Sequence, residues 1–138
     1  MRVFLDTNIV LDVLMNRPGL VAESEAVILR CEKADDAMFI AWHGLATAYY
    51  LLRRGRTEAE AMLEVDKLLG WARVADAGDA NARSARGLGF SDFEDALQAV
   101  SAEACGADYI VTRNVGDFTK SKVAVLTPAE FMTRFPAP

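Results

Sequence analysis

Histidine and cysteine are scarce in this sequence, with one histidine and two cysteines among 138 residues. Cys31 and Cys105 lie outside any Cys-x-x-Cys or Cys/His pattern, which argues against a zinc site and against a disulfide framework. The simplest interpretation is two buried thiols in a reducing compartment. No charged and apolar leader opens the chain, and no apolar run approaches the roughly 18 residues of a membrane span. These absences predict a cytoplasmic protein without a membrane segment.

An excess of positive charge is also absent. Lysine and arginine number 15 against 20 aspartate and glutamate residues, which gives a net charge of -5 and a pI near 4.9. Proteins that hold nucleic acid by neutralising phosphates are usually basic, so the charge argues against a plain nucleic-acid-binding module. It leaves room for an enzyme whose acidic cluster is neutralised by divalent metal ions.

Apolar residues make up 52% of the sequence, enough for the core of a single domain spanning residues 1–138. Short apolar runs predict strands at residues 3–5, 38–40, 73–75, 108–112 and 123–126, with helical segments between them. Strands that alternate with helices imply βαβ units. We therefore expect a three-layer α/β/α sandwich with a central, mostly parallel sheet of four or five strands.

Three helix starts follow the capping-box pattern, in which a Ser or Thr precedes a glutamate by three residues. The predicted N-cap residues are Thr57, Ser91 and Thr127, and the paired glutamates are Glu60, Glu94 and Glu130. Thr127 is followed by proline at the first helical position, which strengthens that prediction.

Acidic and amide side chains follow two of the strands and open one helix. Asp6 comes directly after the first strand, and Asn114 and Asp117 follow the strand at 108–112. Asp92 and Asp95 lie three residues apart, on one face of the helix that leads into that strand. If the two strands are neighbours, these oxygen ligands meet at one edge of the sheet. Carboxylates and amides without histidine or cysteine suit Mg²⁺ or Mn²⁺.

Several of these residues also have an ordinary structural interpretation. Asp92 could be a first-turn acid favoured by the helix dipole, and Asn114 and Asp117 could be turn formers. Asp12 is interpreted as a solvated residue of the first helix. His43 is interpreted as a packed or hydrogen-bonded structural residue.

Three blocks carry a family resemblance: DTNIVLD at 6–12, DFEDAL at 92–97 and VTRNVGDF at 111–118. In this order and spacing they resemble the PIN domain, and more closely the VapC-type ribonuclease toxins and their single-domain relatives. The resemblance covers nearly the whole chain. It implies metal-dependent hydrolysis of RNA phosphodiester bonds on a parallel α/β/α sandwich.

The resemblance also implies roles for individual residues. Asp6 would be a central metal ligand, Asp95 the acid of the middle block, and Asp117, or Asn114 in its place, the last ligand. Asp92 would be an auxiliary ligand, directly or through water. Residues expected to orient the carboxylates by hydrogen bonding are Thr7, Asn8 and Thr112.

The sequence departs from the family at one position. The family usually carries a glutamate on the helix after the second strand, yet residues 41–50 contain no acid, and by pattern Thr47 or a neighbour occupies the expected position. Either Asp92 compensates, or the protein binds one ion and is slow, or catalysis has been lost. Possible RNA contacts are Arg53, Arg54, Arg113 and Lys120.

The first hypothesis is therefore an endoribonuclease that uses one or two Mg²⁺ or Mn²⁺ ions, of the toxin type. By resemblance it would form a homodimer and be inhibited by a cognate antitoxin protein. The alternative is a catalytically weakened PIN domain that binds RNA or a protein partner without cutting. A metal-dependent phosphatase of another doubly wound fold is disfavoured, because Asp6-Thr7-Asn8 lacks the second acid of an Asp-x-Asp motif.

Overall fold

The computed structural model of the protein describes residues 1–138 and contains one five-stranded sheet. Its strands are β1 (Arg2–Leu5), β2 (Ala37–Ile40), β3 (Ala72–Val74), β4 (Tyr109–Val111) and β5 (Ala124–Leu126). Its helices are α1 (Thr7–Leu14), α2 (Val21–Lys33), α3 (Trp42–Leu52), α4 (Glu58–Trp71), α5 (Asp79–Gly87), α6 (Phe93–Ala104) and α7 (Pro128–Arg134). A 3₁₀ helix, Val115–Phe118, follows β4. All strand pairings are parallel, which confirms the predicted architecture.

Strand β1 occupies the centre of the sheet, whose order is β3-β2-β1-β4-β5. The chain first adds β2 and β3 on one side of β1 and then returns to add β4 and β5 on the other. Ligands of open parallel sheets bind at the carboxyl ends of the strands where the strand order reverses, which here is between β1 and β4. Leu5 lies opposite Val111 in this pairing, so the residues that follow these two positions share one edge.

Side chains of β1 alternate between two helical layers, as the pleat of a strand requires. Val3 and Leu5 are fully buried in a core shared with α1, α2, α3, α4 and α7. Phe4 is fully buried on the opposite face, against Ile110 and Ala99. The three layers of an α/β/α sandwich follow from this alternation. None of the helices is both long enough and apolar enough to cross a membrane.

Two of the three predicted helix starts are confirmed. The hydroxyl groups of Thr57 and Thr127 each accept a hydrogen bond of 3.2 Å from the backbone N–H of the glutamate three residues later. Oε2 of Glu130 in turn accepts from the backbone N–H of Thr127 at 2.8 Å.

The predicted start of α6 at Ser91 is wrong by one residue. Asp92 is the N-cap, and its Oδ1 accepts a hydrogen bond of 3.1 Å from the backbone N–H of Asp95. Aspartate and serine are equally good N-caps, so the sequence Ser-Asp-Phe-Glu-Asp fits two registers and local propensity does not choose between them. The observed register releases Glu94 from the capping role that the sequence had assigned to it.

Candidate metal centre

Asp6 is the most buried acid at the reversal point of the sheet, with 2% of its surface exposed. Its backbone N–H donates to the carbonyl of Val111 at 3.0 Å, which continues the β1–β4 pairing to the edge of the sheet. The hydroxyl of Thr112 donates to Asp6 Oδ2 at 2.7 Å. Burial raises the pKa of Asp6, while the bonds from Thr112 and from the backbone N–H groups of Thr7 and Asn8 oppose that rise. These donors orient the carboxylate and offset part of its desolvation cost.

Three acids at the start of α6 form a compact cluster. Ligand oxygens of Asp92, Glu94 and Asp95 lie within 4.8 Å of one another. Burial raises the pKa of Asp95 to about 7, with further contributions from Glu94, Asp92, Asp6 and Asp117. The negative charges of three separate chain segments therefore act on one carboxyl group.

Glu94 is held in place by two side chains. His43 Nε2 lies 3.2 Å from Glu94 Oε1, and Gln98 Nε2 donates to the same oxygen at 2.7 Å. The hydrogen bond from His43 is the main reason that the pKa of Glu94 is lowered, so this carboxylate stays ionised. The sequence interpretation missed Glu94 as a site residue. The available signal was the run of three acids within four positions, on a chain whose third helix lacks its expected acid.

Gln98 links this cluster to the start of α1. It is fully buried, and its amide nitrogen also donates to the Thr7 hydroxyl. Its carbonyl oxygen has no hydrogen-bond partner. Thr7 therefore acts on Asp6 through its backbone and on Gln98 through its side chain.

A glycine allows α3 to approach this linkage closely. A Cβ atom on Gly44 would lie 2.6 Å from the Thr7 hydroxyl oxygen, well inside van der Waals contact. Only glycine fits at this position while the neighbouring His43 reaches Glu94.

Substitution Gly44→Ala is therefore expected to destabilise the protein by about 1–3 kcal/mol, the usual cost of overpacking a core. Urea denaturation measures the change. Gly70→Ala is the control, because a Cβ added to this helical glycine would meet nothing within 4 Å, and the substitution should gain roughly 0.5–1 kcal/mol. Equal effects of the two substitutions would contradict the close-approach argument.

The block after β4 brings its acid to the same edge. The backbone N–H of Asn114 donates to the Thr112 hydroxyl at 3.1 Å, and the N–H of Asp117 donates to the Asn114 carbonyl at 2.9 Å. Both side chains are exposed. Asp117 lies close enough to Asp95 to raise the pKa of that group.

Thr47, which the resemblance placed at or near the position of the family's glutamate, offers no carboxylate. Its side chain is exposed, and its hydroxyl donates to the backbone carbonyl of His43 at 3.1 Å. The carboxylate that contacts this part of α3 is Glu94, which comes from α6 and lies against His43.

The four cations considered as RNA contacts are not brought together. Arg53 and Arg54 lie at the far end of α3, about 15 Å along the helix from His43. Arg54 packs over the ring of Tyr50. Lys120 lies on the side of the acids, because it donates to the Gly89 carbonyl at 2.8 Å beside a cavity of about 270 Å³ that Asp117 also lines.

Arg113 and Asp12 form an ion pair, which corrects the interpretation of Asp12 as a solvated residue. Asp12 is fully buried and is paired by Arg113 and, at 3.6 Å, by Arg17. A carboxylate can be buried at this position because two cations compensate its charge.

The donor set fits hard divalent cations. It consists of carboxylate oxygens from Asp6, Asp92, Glu94, Asp95 and Asp117, with no sulfur ligand. Oxygen ligands of this kind are preferred by Mg²⁺ and Mn²⁺. Clustered carboxylates repel one another without a cation, and this repulsion adds to burial in raising the pKa of Asp95.

A parallel α/β sheet with acids from three segments at its reversal point defines the class of protein: an open-sheet α/β protein with a carboxylate site. Residues 2–116 match the sequence profile of the PIN domain. The chain belongs to the PIN domain family. No curated protein sequence matches it significantly.

Solved structures have the same fold at low identity. VapBC2 from Rickettsia felis, bound to a DNA fragment from its promoter, matches with a TM-score of 0.68 and 18% identity, over 92% of this chain and 98% of the other. VapBC-1 from nontypeable Haemophilus influenzae matches with a TM-score of 0.67 and 17% identity, over 94% of this chain and 99% of the other. PAE2754 from Pyrobaculum aerophilum matches with a TM-score of 0.64 and 23% identity, over 100% of this chain and 91% of the other. These likenesses establish the fold.

Proposed function

We propose that this protein is an endoribonuclease that depends on Mg²⁺ or Mn²⁺ and acts as the toxin of a toxin–antitoxin pair. One observation carries the proposal: Asp92, Glu94 and Asp95 form a compact cluster of carboxylates, where burial and the charges of Glu94, Asp92, Asp6 and Asp117 raise the pKa of Asp95 to about 7. A protein gains nothing in stability from such a cluster. The arrangement is useful where cations bind, because the cations remove the repulsion.

Membership of the PIN domain family supports nuclease chemistry. The likeness to VapBC structures supports a toxin role with an antitoxin as partner, since these are two-component assemblies by name. A homodimer and an RNA substrate form part of the same proposal. Residues 1–138 would act as one domain.

Asp6, Glu94, Asp95 and Asp117 would hold the cations, with Asp92 beside them. Bound divalent cations would stabilise negative charge on the phosphoryl oxygens and supply a nucleophile from water. The chain's own residues fix the ligands: Thr112 orients Asp6, and Gln98 orients Glu94. Asn114 is an alternative oxygen ligand next to Asp117.

Glu94 offers a solution to the missing family glutamate. It lies on the first turn of α6 and contacts His43 on α3, the helix on which the family usually carries its acid. In the proposed enzyme, Glu94 supplies from α6 the charge that Thr47 cannot supply from α3.

A catalytically weakened domain that binds RNA or a protein without cutting is the second candidate. The observation that favours it is Thr47, whose hydroxyl is bonded to its own helix backbone and offers no carboxylate.

Cleavage of a mixed cellular RNA pool by purified protein with Mn²⁺ separates the two candidates. We expect discrete fragments from the wild type and a loss of at least about a hundredfold in Asp6→Asn and Asp95→Asn, because each removes a charged ligand oxygen from the cation site. Circular dichroism of both variants is the control that they are folded. Cleavage that persists in both variants would come from a contaminant, and absent wild-type cleavage would favour the binding domain.

A further inference from the structure

Asp12 is the most enclosed charged group outside the acid cluster. None of its surface is exposed. Its Oδ2 accepts hydrogen bonds from the Ser24 hydroxyl, at 2.6 Å, and from Arg113 Nη1. Its Oδ1 accepts no hydrogen bond and faces Arg17 Nη1 at 3.6 Å. Two arginines from different parts of the chain thus share one buried carboxylate.

The two arginines belong to different chain segments. Arg17 lies in the segment between α1 and α2, which carries none of the clustered acids. Arg113 lies between Thr112, whose hydroxyl donates to Asp6, and Asn114, whose N–H donates to that same hydroxyl. The side chain of Arg113 points to α1, the helix that Asp6 itself begins. The Asp12–Arg113 pair therefore joins the segment that carries Asp6 to the loop that carries Asn114 and Asp117.

We propose that Asp12 is a positioning residue, which acts through Arg113 to hold residues 112–117 against Asp6 and so sets the affinity of the site for divalent cations. Arg113 is then held by its pairing with the buried Asp12 carboxylate and is not an RNA contact. The expected effect of Asp12 on cation affinity rests on the proposed function, whereas its expected effect on the position of the loop does not.

The physical reason is the low tolerance of the interior for an incompletely paired charge. If the loop moved away, Arg113 would leave Asp12 Oδ2 with the Ser24 hydroxyl alone, and Arg17 is too distant for a hydrogen bond. The cost of that separation keeps the loop in place. Once the loop is held, the Thr112 hydroxyl stays directed at Asp6 Oδ2.

The two arginines provide a matched pair of variants. Arg113→Gln and Arg17→Gln each remove one cation from Asp12, but only the first releases the loop. Mn²⁺ affinity, measured by calorimetry on the full chain, should fall about 10–100-fold in Arg113→Gln, the range typical for loss of an outer-shell partner. It should change less than about twofold in Arg17→Gln. Asp12→Asn should lower the Mn²⁺ affinity as much as Arg113→Gln does. Combining Asp12→Asn with Arg113→Gln should lower it no further, because both substitutions act through one contact.

Amide hydrogen exchange of the metal-free protein provides a readout that does not depend on cation binding or cleavage. The Asn114 and Asp117 amides should exchange at least about tenfold faster in Arg113→Gln, because opening of the loop exposes their hydrogen bonds. Their exchange rates should be unchanged in Arg17→Gln. Wild-type protein that binds no Mn²⁺ would refute the proposed metal site, while the exchange rates would still decide the role of Asp12.

Three results would overturn the inference. Equal losses of Mn²⁺ affinity in the two arginine variants would make the pair a general stabiliser of the fold. Unchanged exchange at Asn114 and Asp117 in Arg113→Gln would mean that the loop does not depend on Asp12. Weakened RNA binding in Arg113→Gln with unchanged Mn²⁺ affinity would mean that Arg113 contacts RNA.

Discussion

Asp95→Asn is expected to make the metal-free protein more stable at pH 8 and to remove its stabilisation by Mn²⁺. The pKa of Asp95 is about 7 in the folded protein against an ordinary value of 3.8. The folded state therefore retains a proton that the unfolded chain loses. Because the folded pKa is raised, the stability tied to that proton is complete below about pH 4 and is lost as the pH rises through about 7. Asparagine keeps the shape of the side chain without the charge.

Melting temperatures provide the measurement. Without metal, the wild type should lose stability between about pH 5 and pH 8, and Asp95→Asn should lose less, with a melting temperature higher by roughly 3–6 °C at pH 8, the shift that about 1 kcal/mol produces in a domain of this size. Added Mn²⁺ should raise the wild-type value and leave the variant unchanged. Asp66→Asn, which removes an exposed acid of α4, is the control and should behave as the wild type. A variant that is less stable than wild type at pH 8 would contradict the raised pKa.

Glu94→Gln is expected to reduce Mn²⁺-dependent RNA cleavage by at least about a hundredfold, because it removes the carboxylate of the proposed cation site that contacts α3. Glutamine can still accept hydrogen bonds from His43 and Gln98, so the helix contacts are retained. The pKa of Asp95 should fall at the same time, because repulsion from Glu94 is the second cause of its rise. This fall is measurable by NMR titration of the Asp95 carboxyl carbon.

Glu103→Gln is the matched control for this prediction. Glu103 lies on the same helix, but its carboxylate is exposed and is 3.5 Å from the surface residue Lys122. Its loss should leave cleavage and Mn²⁺ binding within about twofold of wild type, as for most exposed residues. Full cleavage by Glu94→Gln would mean that the cation site works without an acid near α3, and that Glu94 serves only to connect α6 with His43.

Much of the fold follows from the sequence because its signals are local. The run Val3-Phe4-Leu5 is apolar on both faces, as a central parallel strand requires, and the structure buries all three residues completely. Thr57 and Thr127 begin helices as predicted, since an N-cap depends on the few residues around it. Alternation of strands and helices was sufficient to predict the parallel sheet.

The candidate site was predictable in part. The sequence placed Asp6 and Asp117 after strands, and the resemblance of three ordered blocks grouped them with Asp95. The capping-box pattern assigned Glu94 to a helix cap, whereas Asp92 is the observed N-cap. Ser91 and Asp92 are equally good N-caps, so the local sequence does not decide which of them begins the helix. The contact between Glu94 and His43 joins residues 51 positions apart, and no local pattern encodes it.

The burial of Asp12 shows the same limit. An aspartate among apolar residues on a helix is ordinarily solvated, and its partners Ser24 and Arg113 lie 12 and 101 positions away. The sequence by itself determined the strands, most helix starts and the identity of the acids, because these depend on neighbouring residues. Only the tertiary structure decided which acids lie close together, which charges are buried and which arginines pair with a buried carboxylate. Those properties depend on distances between remote segments, which are fixed only when the sheet has assembled.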